Sequence, residues 1–121
     1  MNTMTDSDLA AVSDLESLRD ALRVFCAARD WHRYHTPKNL VMALSVEAAE
    51  LVEHFQWATP EESLNLDAAK REAVADEIAD VLIYLTELAD VTGIDMIAAA
   101  RAKIVKNAVK YPAPNDTLVN P

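Results

Sequence analysis

Glycine is nearly absent from this chain, with one residue in 121, and there are only five prolines. That scarcity, beside abundant alanine and leucine, favours an all-α chain. Cysteine is as rare: the single Cys26 excludes an internal disulfide and fits a reducing compartment. It lies in an apolar segment and reads as buried filler. Basic residues are also few, 11 against 20 acidic, for a net charge of -9. A general nucleic-acid binder needs a basic surface and is excluded. An acidic protein can still take a phosphorylated small molecule when a divalent ion bridges the two. No apolar run approaches the roughly 20 residues of a membrane helix. Nor does a basic segment precede an apolar one near the start, where Asp6 and Asp8 stand instead. One domain, soluble and cytoplasmic, is the expectation.

What is present is a set of helix start and stop signals. Residues 1–12 read as a flexible N-terminus. Ser13 with Glu16 makes a capping box opening a helix to about Asp30. The aromatic and histidine-rich connection Trp31–Thr36 follows. Thr36 and Pro37 then start a second helix to about Trp57. Thr59 and Pro60 repeat that signal for a short turn. Asp67 caps a third long helix that Gly93 stops after Thr92, and Asp95 caps a fourth to about Lys110. Residues 13–112 thus form one four-helix domain, and 113–121 an extended tail with two of the chain's prolines. On the third helix Val74, Ile78, Val81, Leu82, Leu85 and Leu88 form a core stripe, which Ala75, Ala79, Ile83 and Tyr84 widen. A helix apolar on more than one side, in so short a chain, points to cover from other subunits.

Two acidic pairs interrupt these apolar stretches, Glu47-x-x-Glu50 on the second helix and Glu77-x-x-Asp80 on the third. Three-residue spacing puts each pair on one helical face. Carboxylates in such surroundings are costly to keep ionised without counter-charge. With few Lys or Arg nearby, they call for a metal cation, and an all-oxygen set suits Mg2+ or Mn2+. The spacing alone is a weak motif, shared by Glu50/Glu53 and Glu87/Asp90. Placement strengthens it: Ala43, Glu47, Glu50, His54 and Trp57 share one stripe, and Glu77, Asp80, Tyr84 and Glu87 another. Two helices joined by a short loop are normally antiparallel neighbours, which would bring the stripes together. The competing reading is two solvated faces, against which the aromatic residues on the stripes count. A diiron bundle needs Glu-x-x-His on two helices; the third helix has no histidine, so that reading fails.

These residues resemble a known family, the MazG-like all-α nucleoside triphosphate pyrophosphohydrolases, whose signature is E-x2-E, a variable spacer, then E-x2-D. The closest branch is the dCTP pyrophosphatase-like proteins. The likeness covers about Leu18–Pro112. It includes Arg29-Asp30-Trp31, His35-x-Pro37-x-Asn39-Leu40, Glu47-x-x-Glu50-Leu51 and Phe55-Gln56-Trp57. Further on it includes Glu77-x-x-Asp80-Val81-Leu82-Ile83-Tyr84-Leu85 and Lys103-x-x-x-Asn107-x-x-Lys110-Tyr111-Pro112. Two departures stand out. Leu22 occupies a place where animal dCTP-preferring relatives carry a substrate-contacting histidine, and Ala48 and Ala49 replace common glycines.

The resemblance implies a MazG-like bundle completed as a homodimer or homotetramer. Its activity would be Mg2+-dependent hydrolysis of a (deoxy)nucleoside triphosphate to the monophosphate and pyrophosphate, cleansing the nucleotide pool. dCTP and modified cytidine nucleotides are the candidate substrates. Glu47, Glu50, Glu77 and Asp80 would hold the metal, with Mn2+ as a substitute, and Glu47 or Glu50 would orient or deprotonate the attacking water. Trp31 and Trp57 match residues flanking the nucleoside; their bland reading is packing. Tyr34 and His35 match pocket-lining positions, and Tyr84 would reach sugar or phosphate unless it is a core tyrosine. Lys103 and Asn107 share a helix face with Lys110 and would clamp the triphosphate tail, where the bland reading is a basic helix end. Tyr111 would close over this site or a neighbouring subunit. His32 and His54 read as bystanders. From a different class, a non-catalytic helical interaction module with an acidic face competes with the enzyme. A phosphohydrolase of non-nucleotide diphosphates is a third reading, disfavoured by the stacking aromatics.

Overall fold

A computed structural model describes residues 4–118; residues 1–3 and 119–121, at the ends of the two expected tails, lie outside it. The described residues contain helices and no strand. In chain order these are α1 (Asp6–Ala10), α2 (Leu15–Ala28), a 3-10 turn (His32–Tyr34), α3 (Pro37–Glu53), α4 (Pro60–Ser63), α5 (Ala68–Thr92) and α6 (Met96–Lys110). The all-α class expected from composition is what folds. None of the helices is long and apolar enough to cross a membrane.

Most helix ends sit where local chemistry puts them. The side chains of Thr36, Thr59, Asp67 and Asp95 each accept the backbone N–H three residues on. Gly93 ends α5 in the left-handed region at φ 68°, a conformation that favours a residue without a Cβ. The first long helix departs from expectation. Its cap is Asp14, whose Oδ1 accepts from Ser17 N at 2.8 Å while Ser17 Oγ accepts from Asp14 N at 3.0 Å. An aspartate at this place also meets the positive end of the helix dipole, which the neutral Ser13 does not. Ahead of it, Thr5 and Asp8 form a second capping box, so a turn of helix stands where a loose start was expected. Helix α3 ends at Glu53, earlier than expected, because Phe55 N and Gln56 N both bond to Val52 O and tighten the chain into turns.

Helices α3 and α5 form an antiparallel pair. His35, just before α3, meets Glu87 late in α5, whereas Glu47, further along α3, meets Glu77 and Asp80 earlier in α5. Helix α2 lies against the later half of α5. Arg23 Nε and Nη2 donate to Asp90 Oδ2 and Oδ1 at 2.9 and 2.6 Å, and Cys26 Sγ donates to Glu87 Oε1 at 3.1 Å. The Arg23 guanidinium holds the Asp90 carboxyl below its ordinary value, chiefly through these bonds. The centre is small: Leu40, Thr86 and Cys26 are the most completely enclosed side chains, with Val74, Ala89 and Ala108 also buried. Thr86 satisfies its hydroxyl by donating to Leu82 O at 2.7 Å.

The α5 stripe expected to be core is only partly covered. Val74 is buried, but Ile78, Leu82 and Leu85 are 53, 38 and 41% exposed. Two helices, α2 and α3, supply the main cover of α5, too little to enclose a helix apolar on several sides. Val41, Met42, Val46 and Val52 on α3 and Ile97, Ile104, Val105 and Val109 on α6 are exposed as well. Leu40 therefore carries an unusual share of the internal packing. Leu40→Ala is expected to lower unfolding free energy by about 3 kcal/mol, measured by urea denaturation.

Candidate active site

The acidic stripes of α3 and α5 face each other in this helix pair. One carboxylate oxygen each from Glu47, Glu77 and Asp80 can be chosen so that all lie within 4.8 Å of one another. Glu50 lies against Glu47, close enough for a side-chain hydrogen bond that raises its neighbour's proton affinity. Among the described residues no Lys or Arg forms an ion pair with any of these four. Burial pushes the Glu47 carboxyl up to about 7, helped by hydrogen bonds to Glu77 and Glu50 and the charges of Glu50 and Asp80. Glu47 Oε2 and Glu77 Oε2 are buried without any hydrogen-bond partner. Orphaned, hard oxygen donors converging from two helices fit a hard divalent cation.

The other expected residues distribute unevenly. Tyr84 lies one turn beyond Asp80 on α5, half-buried, and burial together with the charges of Glu47, Glu87 and Asp80 raises its phenol. His35 is half-buried, its Nδ1 3.9 Å from Glu87 Oε2. The Trp31 ring stands edge-on to Phe25 and His35, with centroids 5.6 and 6.5 Å apart. Tyr34 turns outward, 55% exposed under the Arg33 guanidinium at 4.6 Å. Lys103 and Asn107 are exposed on α6, and neither pairs with a carboxylate of the cluster among the described residues. Tyr111, also exposed, has Lys110 Nζ over its ring at 5.3 Å.

Trp57 is 88% exposed in the turn after α3. Trp31 precedes α3, so the helix, about 25 Å long at its usual rise, stands between the two tryptophans. Within one chain the two rings therefore stand toward opposite ends of α3. Two residues that sequence reasoning set aside join the site region instead. Glu87 continues the acidic stripe of α5, and Cys26, read as filler, donates to it. The stripe periodicity was the available signal for Glu87; nothing local pointed to the thiol.

The raised Glu47 carboxyl has a stability consequence whose sign is fixed. Between the ordinary value of 4.5 and about 7 the folded chain keeps a proton that the unfolded chain releases. Metal-free protein is therefore expected to lose stability as pH rises through that window. Carboxyls held low, such as Asp90, act at lower pH and in the opposite sense. Melting temperatures in chelator from pH 5 to 8 should fall for the native chain and stay flatter for Glu47→Gln.

A family model described as the MazG-like family matches residues 42–120. The human protein dCTP pyrophosphatase 1 is 41% identical over 101 residues, covering 82% of this chain and 59% of the human protein. Its Bos taurus counterpart is 40% identical over 81% of this chain and 59% of its own length. The chain thus spans less than two thirds of the curated relatives it matches. Among solved structures, a pyrophosphatase from Archaeoglobus fulgidus superposes with a TM-score of 0.77 at 41% identity, over 93% of this chain and 99% of that one. With its paired acidic helices and these matches, the chain belongs to the MazG-like family, in the branch typified by dCTP pyrophosphatase.

Proposed function

We propose that this protein hydrolyses a (deoxy)nucleoside triphosphate to the monophosphate and pyrophosphate, with dCTP or a modified cytidine nucleotide as the preferred class. The observation that carries this reading is the convergence of Glu47, Glu77 and Asp80, with two buried oxygens lacking any partner. Glu47, Glu50, Glu77 and Asp80 would hold the cation, Mg2+ or Mn2+. A divalent ion there supplies charge neutralisation and Lewis acidity toward the phosphates. Glu47 or Glu50 would orient the attacking water or accept its proton. Tyr84, one turn from Asp80, donates to phosphate or sugar oxygen. Trp31 offers a flat aromatic face at the far end, suited to a base. The relatives named for dCTP pyrophosphatase and pyrophosphatase activities support the same reaction class. The reduced, buried Cys26 is compatible with the cytoplasm, where such a pool-cleansing enzyme would act.

The working unit is a homo-oligomer, dimer or tetramer. Exposed apolar side chains on α3, α5 and α6 support this, as does the separation of Trp31 from Trp57. A second copy would bring its Trp57, Lys103, Asn107 or Tyr111 to a site that one chain leaves open. Light scattering should give a multiple of the chain mass, and Ile104→Glu should shift it toward one chain. A native mass of one chain would sink this part of the reading.

Activity is checked by phosphate release from each dNTP with added inorganic pyrophosphatase, with and without Mg2+. Metal-dependent release is expected, and Glu50→Gln should lower kcat by about 100- to 10,000-fold. Inactivity across the whole panel would favour a non-catalytic interaction module instead.

A further inference from the structure

A second cluster lies toward the end of α5, and its chemistry differs from that of the carboxylate site. Cys26 from α2, His35 from the connection before α3, and Glu87 from α5 each present one ligand atom, all within 4.8 Å of one another. Cys26 Sγ is 3.1 Å from Glu87 Oε1, and His35 Nδ1 is 3.9 Å from Glu87 Oε2. The thiol is almost wholly enclosed, and the His35 and Glu87 side chains are only 17 and 12% exposed. No Lys or Arg pairs with Glu87 among the described residues, because the nearby Arg23 is taken by Asp90. A small cavity of about 20 Å3 adjoins all three residues, also lined by Leu22 and His32. That is room for a single water.

We propose that Cys26, His35 and Glu87 form a second metal site, selective for a borderline transition ion of the Zn2+ type, with a water in the adjoining cavity as fourth ligand. One sulfur, one imidazole nitrogen and one carboxylate oxygen make a mixed donor set that Zn2+ and Co2+ favour and Mg2+ does not. Ligand bonds of about 2.0–2.3 Å put tetrahedral donors roughly 3.2–3.8 Å apart. From separations of up to 4.8 Å, closing the cluster takes changes of up to about 1–1.6 Å. The thiol is protonated in the metal-free chain, since burial and the bond to Glu87 push it up to about 12. Ion uptake replaces that proton, which leaves to solvent; no electron moves. Asp80 lies seven residues before Glu87, about 10 Å along α5, so one helix would carry a hard site and a softer one.

Co2+ titration of the full-length, chelator-stripped chain tests this without reference to catalysis. A thiolate-to-cobalt charge-transfer band in the near ultraviolet is expected, with visible bands of four-coordinate cobalt. The carboxylate cluster has no sulfur and cannot produce the first. Stoichiometric Zn2+ should bleach the band and a hundredfold excess of Mg2+ should not. Cys26→Ser should abolish it, Glu87→Gln should weaken Co2+ affinity at least tenfold, and Asp80→Asn should leave it in place. Circular dichroism confirms that each variant is folded, and Glu87→Gln serves alone if Cys26→Ser is not. Absence of the band at saturating Co2+, its survival in Cys26→Ser, unchanged affinity in Glu87→Gln, or bleaching by Mg2+ would each overturn the proposal.

Discussion

Negative charge held between two helices without a balancing side chain is the constraint around which this molecule is arranged. Glu47 and Glu77 each bury an oxygen that bonds to nothing, and Asp80 and Glu50 crowd the same space. An arrangement of this kind destabilises the metal-free chain, because carboxylates that cannot be solvated must either share protons or repel one another. A cation held by these oxygens would return that loss. The close α3–α5 pairing, the most extensive packing in the molecule, is what can tolerate it.

Much of the fold was legible because its signals are local. Thr36-Pro37, Thr59-Pro60, Asp67, Asp95 and Gly93 each act within four residues, and each element begins or ends where they stand. The choice between Ser13 and Asp14 as cap was misread, since both are good capping residues and only the partner Ser17 decides between them. Periodicity placed Glu47, Glu50, Glu77 and Asp80 on stripes. That the stripes meet follows from the short connection between two long helices. Periodicity also named Ile78, Leu82 and Leu85 as core, and there it failed. A pattern records that a face is apolar, not whether this chain or another covers it.

The remaining misses are long-range. Cys26 and Glu87 are 61 residues apart, and neither carries a spacing motif relative to the other. Trp31 and Trp57 share one expected role in the sequence, and α3 holds them at opposite ends of a helix. Helix α6 presents Lys103 and Asn107 outward and buries little but Ala108.

Tyr84 links the two ends of the functional face. Its phenol feels Glu47 and Asp80 on one side and Glu87 and Cys26 on the other, so it stands between the oxygen cluster and the thiol cluster. A cation added to either cluster removes negative charge from the surroundings of that phenol and makes it a better hydrogen-bond donor. The acidic face of α5 therefore behaves as one electrostatic unit, in which a cation at the oxygen cluster would tune the Tyr84 phenol. Leu22, lining the cavity beside Cys26 and His35, adds no charge to that unit. The polar groups at that end, Cys26, His35 and Glu87 among them, are brought there by the fold from three separate segments.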